Sequence, residues 1–205
     1  MKKNHLLIDI GSTHIKWAKV SHIYQIEDEG KRPFPEPCVD RDNFFEVDIH
    51  KIEKIIVEII DSFQDIDKVF ISAQMHGYIL TDKKNDPITP YISWRDQRAK
   101  NNIKPFKIKE SYGVLFKYNL PKVSIKFMVE SNPELMSKCK NFYTLGSYIT
   151  FKLTGKNETH ITDAAPSGFY NVIDGTKDKL YFSLPDIHYD VSLVGFYKDI
   201  KILLF

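Results

Sequence analysis

Residues 6–17 read LLIDIGSTHIKW, and the rest of the chain is arranged around this stretch. Leu6, Leu7 and Ile8 form a short apolar run that suits a buried strand. Asp9 then places a carboxylate at the mouth of that strand, and Gly11 gives the backbone the freedom a tight turn needs. Ser12, Thr13 and His14 follow with hydroxyls and free N–H groups, and Lys16 adds a positive charge. Such groups suit phosphate oxygens, and the adjacent carboxylate suits a hydrated Mg²⁺. The same residues also make an ordinary hairpin, with Asp-x-Gly-Ser-Thr as turn chemistry. A short glycine turn does not by itself decide between the two readings.

The chain has 205 residues, enough to bury a real core in one large domain. Hydrophobic residues make up 42% and charged residues 27%, an ordinary balance for a globular protein. A net charge of +2, with lysines scattered rather than clustered, gives no field that would draw nucleic acid or an anionic membrane. Cys38 and Cys139 stand far apart with no metal-ligand spacing around either, so free thiols in a reducing cytosol are the simpler reading. Asp9 interrupts the first apolar run before a signal peptide could form, and no segment reaches membrane-spanning length. A cytoplasmic protein is expected.

Along the chain, residues 14–20 read as a second strand and 21–31 as a third, more polar one, followed by a loop holding Pro33, Pro35 and Pro37. Residues 47–63 are the clearest helix, with Ile49, Ile52, Ile55, Ile56, Ile59, Ile60 and Phe63 at spacings of three and four and Asp48 as N-cap. Residues 68–73, KVFISA, make a buried strand. Tyr78–Thr81 is a further strand, residues 82–86 a polar turn, and residues 93–101, SWRDQRAKN, a helix. Residues 120–130 form a helix opening with Pro121, stopped by Asn132-Pro133-Glu134. A short strand at 141–144 then leads into a helix over 145–153 that ends at Gly155. Strands alternating with helices give an α/β plan.

Three clusters carry the candidate chemistry. Asp9, Ser12, Thr13 and Lys16 form the first. Gln74, Met75, His76 and Gly77 follow a buried strand, where polar groups commonly line a ligand crevice; a plain loop with a surface histidine fits equally. The third is Trp94-Arg95-Asp96-Gln97-Arg98, in which an indole face can stack on a sugar ring and Asp96 and Arg98 can bind vicinal hydroxyls. A surface charge pair at a helix start explains it as well. Asp163, in TDAAPSG, is a fourth candidate, for which the turn-forming neighbours favour a turn role.

Taken together and in order, these segments resemble the N-terminal domain of the FGGY carbohydrate kinases, the family of xylulokinase, gluconokinase and glycerol kinase. LIDIGSTHIKW is similar to the family's first phosphate-binding hairpin, and ISAQMHGYILTDKKNDPITPYISWRDQRA to its Gly-Gln-Met-His-Gly … Trp-x-Asp-x-Arg segment. LPKVSIKFMVESNPE and YITFKLTGKNETHITDAAPSGFYNVID resemble its Asn-Pro-Glu and Leu-Thr-Gly … Thr-Asp segments. The resemblance runs over about residues 5–175 and implies an actin-like ATPase, RNase-H-like α/β domain, a mixed sheet flanked by helices. It implies ATP and Mg²⁺ as cofactors and a small sugar or polyol as substrate. It assigns Asp9 to Mg²⁺ and phosphate, Ser12, Thr13 and Lys16 to phosphate, and Met75 and His76 to the sugar. Gln74, Trp94, Asp96 and Arg98 would shape the sugar pocket. The Met75-His76 pair points to a xylulokinase-like member. Phosphoryl transfer would then rest on positioning and on charge stabilisation around the transferring group.

Residues 176–205 carry no clear family signature and read as a divergent tail; neither the Gly-Gly-x-Asp segment that brings the family's catalytic base nor a second domain is found. Loss of a general base costs about 10²–10⁴-fold in rate. The expectation is a chain truncated relative to the family and weak or inactive alone. Its uncovered surface would favour self-association or a complementary second polypeptide. The alternative is a non-catalytic sugar-binding or partner-binding domain derived from this family.

Overall fold

The alternation read at residues 6–10 is realised in β1 (Asn4–Ile10), where Leu6, Ile8 and Ile10 are buried while Leu7 and Asp9 face outward. The structure is a computed structural model that describes residues 4–101 and 117–204. Gly11 N–H donates to the His14 carbonyl at 3.1 Å, and this turn sends the chain back as β2 (His14–Val20), antiparallel to β1. β3 (Ile26–Pro33) pairs antiparallel with β2. The proline-rich segment after it contains one short strand, β4 (Val39–Arg41), and leads to β5 (Phe44–Val47).

The isoleucine stripe forms α1 (Ile49–Asp61), and the Asp48 side chain caps it by accepting from the His50 N–H at 3.0 Å. Ile49, Ile52, Ile56, Ile59 and Ile60 are all buried. β6 (Ile66–Ala73) returns parallel to β1, with Asp9 beside Ser72 and Ile10 beside Ala73. β7 (Tyr78–Thr81), β8 (Tyr91–Ile92), α2 (Pro121–Ser131), α3 (Pro133–Lys138) and β9 (Asn141–Thr144) follow. Asn132 ends α2 as expected, but it also starts α3, its side chain accepting from the Leu135 N–H. α4 (Leu145–Thr154) closes at Gly155 with φ of +77°. β10 (Glu158–His160), α5 (Ile161–Ala164), a 3₁₀ turn over Ala165–Ser167, β11 (Asp186–His188), β12 (Ser192–Tyr197) and β13 (Ile200–Leu204) complete the order.

Among the described residues, one sheet has six strands in the order β12-β13-β6-β1-β2-β3, and a second, antiparallel, has five in the order β4-β5-β8-β7-β9. α1 and α4 pack on the Ile8 face of the first sheet, joining Ile71, Ile202 and Leu204 in the main core. Tyr78, Phe142, Phe169 and Phe182 build a second core with Ile125 and Met128 of α2. No helix among the described residues is long and apolar enough to cross a membrane.

Two readings change. Residues 93–101, expected to be a helix, form successive turns. The reason is local competition for N–H groups: Asp96 Oδ1 takes the Arg98 N–H at 3.0 Å, and the Asn43 carbonyl takes the Gln97 N–H at 2.8 Å. Residues 176–205, set apart in the sequence as a divergent tail, contain β11, β12 and β13. β13 lies parallel to β6 and buries Ile202 and Leu204, so the sheet is built partly from this stretch.

Candidate active site

The carboxyl ends of the adjacent parallel strands β1 and β6 bring two of the three sequence clusters together. Asp9 stands on the outward face of β1, paired in register with Lys16 of β2 on one side and Ser72 of β6 on the other. Asp9, Ser12, Thr13 and Lys16 are all exposed. Gly11 sits at a close approach: an added Cβ would lie 3.0 Å from the His14 carbonyl oxygen. A groove of about 740 Å³ runs over this face, lined by Leu7, Asp9, Lys16, Ala18, Lys31 and Ser72 among others.

Gln74 extends the β1–β6 ladder by one hydrogen bond, its N–H donating to the Ile10 carbonyl at 3.0 Å. The strap from Gln74 to Gly77 therefore begins beside the hairpin turn. Met75 is exposed, while His76 takes a left-handed backbone with φ of +67°. A non-glycine residue held there marks a strained position of the kind found at ligand-binding loops. The His76 ring faces the Pro166 carbonyl, which favours its proton, but burial outweighs this and, with the Lys117 charge, holds its pKa below the ordinary value. The ring is thus chiefly neutral at pH 7, suited to hydrogen bonding with hydroxyls. Gly77 lies against Tyr91, and an added Cβ would collide with the Tyr91 hydroxyl.

The third cluster divides. Trp94 is 40% exposed, with Asn119 Nδ2 donating to its carbonyl at 2.9 Å. Asp96 and Arg98 are buried and bonded to each other, Nε to Oδ1 at 2.8 Å and a terminal guanidinium nitrogen to Oδ2 at 2.9 Å. Asp96 also accepts from the Phe45 N–H at 2.8 Å, and Arg98 donates to Glu46 Oε1 at 2.7 Å. Burial alone would lower the Arg98 pKa, but Asp96, Tyr78 and Glu46 together hold it above its ordinary value. Asp96 and Arg98 therefore tie the 93–98 turn to β5 and leave Trp94 and Arg95 exposed.

The donor set fits the expected cofactor. Among the described residues no group of three or more His, Cys, Asp or Glu side chains could enclose a metal ion. One exposed carboxylate beside hydroxyls and a lysine instead matches Mg²⁺, which keeps most of its waters and binds through one or two carboxylates and phosphate oxygens.

Sequence reasoning did not reveal the burial of one further candidate behind the strap. Asp163, given a turn role above, sits in α5 and is 7% exposed. Its Oδ2 accepts from the Thr144 hydroxyl and, at 3.4 Å, from the Thr159 hydroxyl. Burial pushes its carboxyl up to about 6 against those two hydrogen bonds. The sequence offered Asp163 as a candidate, in the segment similar to the family's Thr-Asp motif, but its turn-forming neighbours favoured a turn role.

An actin-like α/β domain with a carboxylate hairpin and a polar strap at the carboxyl ends of its central strands is the class this geometry defines. The sequence matches the FGGY family of carbohydrate kinases, N-terminal domain, over residues 5–194, and the chain belongs to that family. It is 27% identical over 179 residues to a xylulose kinase of Lactococcus lactis, covering 77% of this chain and 34% of that one. A rhamnulokinase of Oceanobacillus iheyensis is 25% identical over 186 residues, 83% of this chain and 39% of its own length. Among solved structures, a ligand-bound xylulose kinase from Lactobacillus acidophilus superposes with a TM-score of 0.87 at 22% identity, over 98% of this chain and 47% of that one. A glycerol kinase of Plasmodium falciparum with ADP gives 0.81 at 18% identity, over 98% and 48%. The chain thus spans about a third of those curated relatives and about half of those solved structures.

Proposed function

We propose that this chain carries the acceptor and phosphate half of a xylulokinase-like sugar kinase, which transfers the γ-phosphoryl group of ATP to a sugar hydroxyl. The observation that supports this most directly is the meeting of the Asp9–Lys16 hairpin and the Gln74–Gly77 strap at the ends of two neighbouring strands. In this reading Asp9 holds hydrated Mg²⁺, Ser12, Thr13 and Lys16 receive phosphate oxygens, and Met75 and His76 contact the sugar. Gln74 and Trp94 shape the pocket, and Asp96 and Arg98 set the turn that carries Trp94. Bound Mg²⁺ and ATP would supply charge neutralisation and the transferable group. The 205 residues by themselves turn over ATP weakly or not at all, since catalysis of this kind leans on positioning between two lobes.

The test is ADP release from Mg-ATP by the purified chain against pentuloses, hexonates and polyols, with melting temperature recorded alongside. A sugar-dependent rise in melting temperature that disappears in His76→Ala supports the half-site. Turnover lost in Asp9→Ala would show a complete kinase, and no response to any sugar overturns the reading. The alternative is a non-catalytic sugar-binding or partner-binding domain, which sugar binding without ATP turnover would favour.

A further inference from the structure

The atoms behind the strap are unusually poorly matched. Asp163 Oδ1, His76 Nδ1 and both amide atoms of Gln74 are buried without a hydrogen-bond partner among the described residues. A buried polar atom left unpaired costs stability, and such costs persist mainly where a site needs them. Asp163 connects to this region from two sides. Gly146 leaves it room, since an added Cβ there would lie 3.2 Å from Asp163 Oδ2 and 3.5 Å from the Cβ of Ala73, the last residue before the strap. On the other side, the 3₁₀ turn that follows α5 presents the Pro166 carbonyl to the His76 ring. Tyr91, pressed against Gly77, lies within electrostatic reach of the same carboxyl.

We propose that Asp163 is a positioning residue for the acceptor site: anchored by Thr144 and Thr159, it fixes residues 161–167 so that Pro166 orients the His76 ring. A purely architectural tie between α4, β10 and α5 would not need a carboxyl with one oxygen unpaired, nor a contact running on to a strained strap residue. The proposal rests on the sugar-site reading of His76 for its functional meaning, but its physical content can be measured without a sugar.

The experiment uses the full chain and D-xylulose as the probe, with ¹⁵N and ¹³C spectra of the His76 ring in the free protein and calorimetric affinity for the sugar. Asp163→Ala is expected to move the His76 ring signals while those of His50, on the outer side of α1, stay in place. Asp163→Asn, which keeps an acceptor for both threonines, is expected to restore them. The same order holds for affinity: a loss of about five- to tenfold in Asp163→Ala, the size of one hydrogen bond, and recovery in Asp163→Asn. In a His76→Ala background, Asp163→Ala should add no further loss. Additive losses, or His76 signals unmoved in Asp163→Ala, overturn the proposal. If Asp163→Ala does not fold, Thr159→Val takes its place and should move the His76 signals by a smaller amount; unmoved signals then overturn it. Should the wild-type chain bind no D-xylulose while the ring signals respond as described, the positioning stands and the sugar-site reading fails.

Discussion

Asp163 also makes a prediction about stability that can be worked from its surroundings. Its carboxyl has a folded-state pKa of about 6 against an ordinary value of 3.8, with burial the leading cause. An acid whose folded pKa lies above its unfolded value binds its proton more tightly when folded. Its contribution is therefore most favourable below about pH 4, is lost as pH rises towards about 6, and stays lost above that. A difference of about two units corresponds to about 3 kcal/mol. Asp163→Asn removes this titration, and the other carboxylates cancel because both proteins share them. Urea unfolding followed by circular dichroism, at steps from about pH 4 to about pH 7, should show the wild type losing about 2.4 kcal/mol relative to Asp163→Asn over that range, the rest being lost below about pH 4. A difference that stays constant to within about 0.5 kcal/mol would refute the buried, partly unpaired carboxyl as described.

Three further outcomes follow from particular contacts. Arg98→Met strips Asp96 of its partner in a site where both side chains are almost fully buried, so urea unfolding should show a loss of about 3–5 kcal/mol; a loss under about 1 kcal/mol would mean the pair is solvated. Gly11→Ala pushes a methyl group against the His14 carbonyl, and the fold should survive while Mg-ATP affinity, read by calorimetry, falls about tenfold; unchanged affinity would separate the hairpin from phosphate binding. Cys38 is exposed, whereas burial lifts the Cys139 thiol up to about 12, so a thiol reagent should titrate one equivalent quickly in the native protein and the second only after denaturation. Two fast equivalents would contradict the packing around Cys139.

Much of the fold was legible because its signals are local. The isoleucines of α1 recur at helical spacing, Asp48 sits at the cap, and Gly155 ends α4 where an αL residue is needed. The features that escaped depend on contacts distant in sequence. The 93–98 turn is held by β5 residues about fifty positions earlier, so a helix-like composition gave no warning. Asp163 meets Thr144 across 19 residues, a contact that the turn chemistry around it does not reveal. β13 pairs with β6 across more than 130 residues, a contact that no short window can register. The candidate site was legible to the same extent: the hairpin and strap are contiguous motifs, but the burial of Asp96 and Arg98 is a tertiary fact.

The placement of Asp9 on an accessible face follows from two constraints that reinforce each other. β1, β6 and β13 are parallel and step in one direction across the sheet, α1 preceding β6 and α4 preceding β13. Right-handed crossovers that advance in one direction put both helices on one face. That face must be the one bearing Ile8 and Ile10, since both helices bury isoleucines against it. The side-chain period of a strand then sends Leu7 and Asp9 to the opposite face, with Lys16 beside them through the β1–β2 register. A slip of one residue would drive Asp9 into the isoleucine core and Ile8 into solvent, so register is strongly specified. Ile15, buried opposite Ile10, fixes the same parity from β2. The residues that make the core are therefore also the residues that hold the carboxylate and the lysine together on the open side of the sheet. Reversing the order at 8–9, as in Ile8→Asp with Asp9→Ile, should abolish folding rather than relocate the site, and a folded, soluble product of that exchange would show that parity does not govern this hairpin.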